Sequence, residues 1–431
     1  MSLNTQPYKG ARDFYPEQKR DQKYMFGVLR QVVESFGYHE YDAPIIEPLD
    51  IYLAKSGEEI INEQIYSFED RGGRKVAIRP EMTPTVSRMV AAKRQELAYP
   101  LRWYSIPNLW RYERPQRGRL REHWQLNVDI FGVAGVEADH EIILIADSIF
   151  KAFGAKEGSY EIRVNSRELI NSFLKEHLHL DAPQMHDTLK LVDRIHKMPR
   201  EDFVKLAREI IKDNNHVAQL MEFLNSSSVK ALPSSISTHQ SVARLTELFD
   251  LLGASGVSGA VFDPSVVRGL DYYSDIVFEV FDTNPENNRA MFGGGRYDGL
   301  VELFGVEHLP TVGFGMGDVT LMNFLETHKL LPRLKPEADI TAILVGDVYA
   351  KAQKALQELR SKGVNIAVDP GGRKLDAQIK SAVKSGVRFA VFIGEQELKI
   401  NKFKLKDLQK GEEKELGIDE LARTLAVHRD A

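Results

Sequence analysis

The stretch Arg111-Tyr112-Glu113-Arg114-Pro115-Gln116-Arg117-Gly118-Arg119-Leu120-Arg121 runs straight into Glu122-His123-Trp124-Gln125-Leu126-Asn127-Val128-Asp129-Ile130-Phe131. Its first part sets five arginines against one glutamate in a chain of formal net charge -5. A solvated surface mixes signs, so this loop is built to hold a polyanion. A planar guanidinium fork suits phosphate oxygens better than a lysine does. Its second part alternates Trp124, Leu126, Val128 and Ile130 with Gln125, Asn127 and Asp129. Period two in a strand puts the apolar set on one face and the polar set on the other. Alone, such a strand is most often antiparallel with one wet face. The arginine-rich turn feeding it favours a polar cavity for a charged nucleotide and a small polar molecule.

At 431 residues the chain has room for two or three domains with substantial cores. The apolar fraction of 43% and charged fraction of 28% are ordinary for a globular protein. No run of 18 apolar residues predicts a membrane span, and the start, Met1 to Tyr15, lacks an apolar signal core. The chain has no cysteine, which excludes disulfides and thiolate zinc sites and fits a cytoplasmic location. Its twelve histidines form no HExxH pattern, and no metal ligand is assigned to the protein. An RNA partner would have to be held by local basic patches.

Outward from the arginine loop, residues 17–36 read as an amphipathic helix ending at Gly37. Tyr41 to Ile46 reads as extended, with Pro44 at an edge or an interface. Residues 64–79 read as a hairpin turning at Asp70–Arg74. Asp139 is expected to cap a helix through Phe153. A polar helical stretch covers about 168–250. Strand signals return at Ile276–Phe281, and Phe292 to Gly299 reads as a glycine-rich turn. Thr311 to Gly317 reads as a strand leading into a helix capped by Asp318. Residues 331–337 read as a linker, and strand–helix alternation beyond them predicts a small α/β domain with a largely parallel sheet. The expected fold class is α+β: a mostly antiparallel body over 1–330 with a helical insertion, and a separate module over 338–431.

Two further segments carry polar chemistry. Arg79-Pro80-Glu81-Met82-Thr83 ends a strand with a carboxylate and a hydroxyl. Arg268-Gly269-Leu270-Asp271-Tyr272-Tyr273 follows an apolar approach with one arginine and two tyrosines. Singly, Glu81 could cap a helix, Arg268 could be a salt-bridge partner, and the tyrosines could be one core and one surface aromatic.

Together these segments resemble the histidyl-tRNA synthetases, class II aminoacyl-tRNA synthetases, over nearly the whole chain. Lys9 to Pro16 resembles the family's N-terminal signature, the helix to Gly37 with the Pro44 strand resembles motif 1, and Arg111 to Asp129 resembles motif 2. Arg268 to Tyr273 and Gly294 to Leu300 resemble the two peptides peculiar to histidine-specific members. Gly313 to Leu321 stands in the place of motif 3. The C-terminal module resembles the class IIa anticodon-binding domain.

The resemblance implies a two-step reaction: histidine and ATP, with Mg²⁺, give histidyl-adenylate, and the histidyl group then passes to the 3′ end of histidine tRNA. It puts Arg111 and Arg268 at the α-phosphate, Arg119 at the γ-phosphate end, and Glu113 near adenine and Mg²⁺. It puts Glu81, Thr83 and Gln125 on the ammonium of histidine, and Asp129 and Tyr273 on the imidazole, with Arg268 and Tyr272 beside them. Gln116 matches a bacterial-type contact near the 5′ guanosine of that tRNA. A cytoplasmic homodimer is the expected assembly. Two positions depart from the pattern: Thr320 stands where motif 3 carries an adenine-packing arginine, and His123 stands where motif 2 carries a phenylalanine. Both are assigned to the ATP site. The lysines of Lys402-Phe403-Lys404-Leu405-Lys406 suit RNA backbone or protect an edge strand. The alternatives are a regulatory paralogue that partners an ATP phosphoribosyltransferase, or a non-catalytic sensor. The paralogue would lack the module and the arginines seen here.

Overall fold

The computed structural model describes residues 3–53, 64–268, 272–287, 289–370 and 372–430. The chain divides into two compact units, Met1–Leu331 and Pro332–Ala431. In the first, strands β1 (His39–Glu40), β2 (Ile46–Pro48), β3 (Tyr66–Glu69), β4 (Lys75–Ile78), β5 (Leu101–Ser105), β6 (Asn108–Trp110), β7 (Glu122–Phe131), β8 (Tyr160–Ser166), β9 (Ala260–Phe262), β10 (Ile276–Asp282), β11 (Ala290–Arg296) and β12 (Thr311–Gly317) form two sheets. Among the described residues the larger has nine strands in the order β1-β5-β7-β12-β11-β10-β8-β9, with β6 also on β7. Only its outer pairs, β1 with β5 and β8 with β9, are parallel. The smaller, β2-β4-β3, contains the expected hairpin.

The helices are α1 (Pro16–Ser35), α2 (Asp50–Leu53), α3 (Thr83–Ala92), α4 (Val136–Ala152), then α5 (Arg167–Ser172), α6 (Ala182–Val192), α7 (Arg200–Ile211), α8 (Asn214–Leu224) and α9 (Gln240–Ala254) of the insertion, and α10 (Asp318–Thr327). α1 starts on Pro16, whose missing N–H costs nothing there, and ends before Gly37 at φ +81°. Leu126, Val128 and Ile130 of β7, Phe314 and Met316 of β12 and Phe278 of β10 pack on Met25, Leu29 and Val33 of α1 and the apolar side of α4 in one core. Each such side chain stabilises the fold by roughly 1.5–3 kcal/mol. The other face of β7 carries Gln125, Asn127 and Asp129.

Some expectations fail locally. Residues 292–296 are not a turn; they complete β11 inside the sheet. Their glycines are there for clearance: a Cβ on Gly294 would lie 2.2 Å from the Gly313 carbonyl. Asp139 does not cap α4, which begins three residues earlier with Gly135 as its cap. Asp139 is instead a buried partner of Arg296 at 2.6 Å. Likewise α10 takes Gly317 as its cap and Asp318 as its first residue.

The second unit alternates β13 (Ile340–Leu344), α11 (Tyr349–Ser361), β14 (Ile366–Val368), α12 (Leu375–Lys384), β15 (Phe389–Ile393), α13 (Glu395–Ile400), β16 (Phe403–Asp407), β17 (Glu413–Leu416) and α14 (Ile418–Asp430). Its sheet is mixed: β14, β13 and β15 are parallel, while β16 and β17 add antiparallel. The strand of Lys404 and Lys406 is not an edge, because β17 covers it. Both lysines pair with Glu413, at 3.4 and 2.9 Å.

Candidate active site

The polar face of β7 looks across β12, and β12 there is glycine. Asp129 lies opposite Gly313, and Asn127 opposite Gly315. A Cβ on Gly313 would fall 2.1 Å from Asp129 Oδ1, and one on Gly315 would fall 2.0 Å from Gln125 Nε2. Gly315 in turn faces Gly293 of β11, whose Cβ would fall 2.8 Å from an Arg268 guanidinium nitrogen. So Gln125, Asp129 and Arg268, from segments some 140 residues apart, lie over one glycine floor spanning adjacent strands ~4.8 Å apart.

Arg268 is held there by a worked-out local structure. Its φ is +54°, a backbone state that costs a non-glycine residue about 1–3 kcal/mol. Arg167 donates to the carbonyls of Val267 and Arg268, both at 3.0 Å, and Asn165 donates to those of Pro264 and Val266. The guanidinium pairs with Glu279 of β10 at 2.8 Å and lies 5.7 Å from the Tyr273 ring centre. Burial opposes its charge, but Tyr273 and Glu279 outweigh burial and raise its pKa. Gly269, Leu270 and Asp271 lie outside the described residues.

Glu81 is buried, and it does not cap α3, whose cap position is Met82. The Tyr272 hydroxyl donates to Glu81 at 3.3 Å and also touches Thr83. Tyr272 and Tyr273 are both buried, so neither is the surface aromatic that one reading allowed. Arg111 donates through Nε to the Pro80 carbonyl at 2.9 Å, next to Glu81. Gln125 donates to Asn127 at 2.9 Å. Asp129 accepts a short hydrogen bond from the Tyr297 hydroxyl. Burial pushes its pKa up to about 7 although Tyr297 pulls it down. Burial also lowers His123 to about 3, with Arg111 and Arg12 adding to the effect, so its ring is neutral.

The arginine loop joins β6 to β7 as a hairpin pinched by Gln116 and Arg119. Arg119 pairs with Glu113 at 3.6 Å. The Arg121 guanidinium is 3.9 Å from the Tyr112 ring centre and donates to the Tyr8 hydroxyl at 2.9 Å, which removes it from the set of free cations. Gln116 accepts from Arg289, and Arg117 donates to Asn287. Thr320 donates to the Met291 carbonyl at 2.7 Å, and its methyl faces Gly118 of the loop. Among the described residues no three histidine or acidic side chains cluster as a metal site.

A family model described as histidyl-tRNA synthetase matches residues 10–320. This chain belongs to the histidyl-tRNA synthetase family. A second model, described as an anticodon binding domain, matches residues 339–428. A histidine–tRNA ligase of Leptospira biflexa is 46% identical over 413 residues, 95% of this chain and 94% of its own. One of Thermoplasma volcanium is 39% identical over 418 residues, 96% of each chain. The crystal structure of histidyl-tRNA synthetase from Nostoc sp. PCC 7120 matches with a TM-score of 0.83 at 25% identity, over 99% of this chain and 100% of that one. The class II synthetase fold, with an anticodon-binding domain carrying its own sheet, is therefore present.

Within this synthetase framework the sequence reading left three side chains without a role. Tyr297 stands in a quoted peptide, yet only the strand register of β11 sends Arg296 toward α4 and its neighbour toward Asp129. Glu279 had a visible signal, a lone acid within the apolar run Ile276–Phe281. Arg12 had none.

Proposed function

We propose that the glycine floor and the arginine loop are where histidine and ATP react. The chain is a ligase that joins histidine to tRNA, as its family is. The observation that carries the site is the convergence of Gln125, Asp129 and Arg268 over Gly315, Gly313 and Gly293. In this reading Glu81, Thr83 and Gln125 accept from the ammonium, an ion with three donors and no acceptor. Asp129, fixed by Tyr297, takes one imidazole nitrogen, and Tyr273 takes the other. A ring lacking either nitrogen leaves a buried group unpaired, which a site of this type rejects strongly.

The histidine carboxylate attacks the α-phosphate, the anhydride bond between the α- and β-phosphates breaks, and pyrophosphate leaves histidyl-adenylate behind. Arg111 and Arg268 approach from two different elements and neutralise the charge that develops there, a task of alignment and electrostatics. Arg119 takes the far phosphates, and neutral His123 lies under the adenine. Glu113 is the carboxylate that would hold Mg²⁺ beside the phosphates, where the ion would offset their charge, and such an ion needs few protein ligands. Gln116 meets the end of the tRNA, and the second unit reads the anticodon. The exposed Ile45, Ile46 and Phe68 around the small sheet support a homodimer, and a chain without cysteine suits a cytoplasmic setting.

The test is ATP–pyrophosphate exchange. Histidine alone among amino acids should support it, and Arg268→Ala should slow it by roughly 10²-fold or more with histidine binding in the absence of ATP little changed. Exchange that is brisk with another amino acid and absent with histidine would sink the assignment. A fully active Arg268→Ala would return Arg268 to a plain partner of Glu279.

A further inference from the structure

The N-terminal segment is tied to the ATP side of the site at both ends of His123. Upstream of it, the Gly10 carbonyl accepts from the backbone N–H of Arg121 at 2.9 Å and of Glu122 at 3.2 Å. Gly10 fits so closely that a Cβ there would lie 2.8 Å from the Arg121 side chain, and its φ is +85°. Downstream, Phe14 meets Trp124 edge-on with ring centres 5.4 Å apart. Between them Arg12 reaches Asp318, the first residue of α10, at 2.7 Å. The second oxygen of Asp318 accepts from the backbone N–H of Trp124 at 3.0 Å. One buried carboxylate thus joins the N-terminal segment, the strand of His123 and Gln125, and the helix that presents Thr320 to the arginine loop.

Thr320 cannot do this work. Its hydroxyl is spent on the Met291 and Gly317 carbonyls, and its methyl only reaches Gly118. The position where related motifs carry a cation therefore supplies none. Arg12 brings one from the other end of the chain: its charge acts on His123 together with that of Arg111. Removing it would leave Asp318, 5% exposed, as a buried carboxylate without its counter-ion. That is a costly state, relieved by protonation of the carboxylate or by a shift of the segments it joins.

We infer that Arg12 is a positioning residue for ATP: its ion pair with Asp318 latches the N-terminal segment over β7 and α10 and holds His123 and the arginine loop at the spacing the nucleotide needs. This rests on the proposed placement of ATP over His123 and the loop. The latch acts on the nucleotide end of the floor and leaves Glu81, Asp129 and Tyr297 untouched, so it separates the two substrates.

The experiment is pyrophosphate exchange with the full chain, with KM for ATP and for histidine, kcat and melting temperature recorded for each variant. Arg12→Ala and Asp318→Asn should raise the ATP KM by roughly ten- to a hundredfold, the range for loss of a charged hydrogen bond, with the histidine KM within about twofold. Arg12→Lys should recover most of the loss. A purely structural role would lower melting temperature and kcat without splitting the two KM values. That outcome, or an unchanged ATP KM in Arg12→Ala, overturns the inference. If Arg12→Ala does not fold, Arg12→Lys and Arg12→Gln decide it by the same split. His123→Ala is the separating arm: a raised ATP KM there with a normal Arg12→Ala leaves the placement of ATP standing and removes the latch, whereas a normal His123→Ala removes the placement itself.

Discussion

Asp129 shows how much a single buried carboxylate can depend on its setting. Folded, it holds its proton up to about 7, against about 3.9 for a free aspartate. Between those values the unfolded chain has released a proton that the folded chain keeps. Stability contributed by this group therefore falls as pH rises through that window and is level above it. Asp129→Asn cannot ionise, yet it keeps an oxygen for the Tyr297 hydroxyl. Its advantage over the wild type in ligand-free protein should grow by roughly 1–3 kcal/mol between pH 5 and pH 8. Melting temperatures of both proteins at the two pH values measure this. A constant difference would mean that Asp129 ionises as a solvated acid does. The burial that sets this value was not visible in the residue itself, whereas its membership of the polar face of β7 was.

At the scale of elements, the glycines of β11 and β12 decide whether a site exists. They give up the packing that valine or isoleucine would bring to a central sheet. What they leave is headroom over the strands for Gln125, Asp129 and Arg268. Gly313→Ala places its methyl 2.1 Å from Asp129 Oδ1 and 2.7 Å from the Val128 carbonyl, so the carboxylate must leave its position. The histidine KM in pyrophosphate exchange should rise at least about tenfold, as for loss of a charged hydrogen bond. Gly253→Ala is the matched control. It meets nothing within 4 Å inside α9, and should leave that KM alone while stabilising by about 0.5–1 kcal/mol. A tolerated Gly313→Ala would show that the floor is not where histidine lies. The same glycines misled the sequence reading at 292–299: glycine is the common mark of a turn, and nothing local distinguishes a strand that needs clearance.

For the whole molecule, the two units have different relatives: the first matches the histidyl-tRNA synthetase model and the second an anticodon binding domain. Each has its own apolar core, the second built on Ile340, Leu356, Val391 and Leu421. Removal of residues 338–431 should therefore leave a folded first unit that forms adenylate and fails to charge tRNA. Exchange and charging assays on the truncated chain read the two steps separately, after light scattering has compared its oligomeric state with that of the full chain. Unimpaired charging by a folded truncation would refute an anticodon role for the second unit.

What the sequence determined by itself was pattern and chemistry. Period two from Trp124 to Phe131 set the two faces of β7, helical spacing set α1, and the change of rhythm after Pro336 marked a second module. The arginines and the two histidine-specific peptides pointed to the family, because charge and hydrogen-bonding capacity belong to the residue. Tertiary structure alone decided which of those groups meet. Tyr297 reaches Asp129, Arg12 reaches Asp318 and Arg121 turns away onto Tyr8 and Tyr112 because strand register and close packing bring distant segments together, and neither is written in any local stretch of chain.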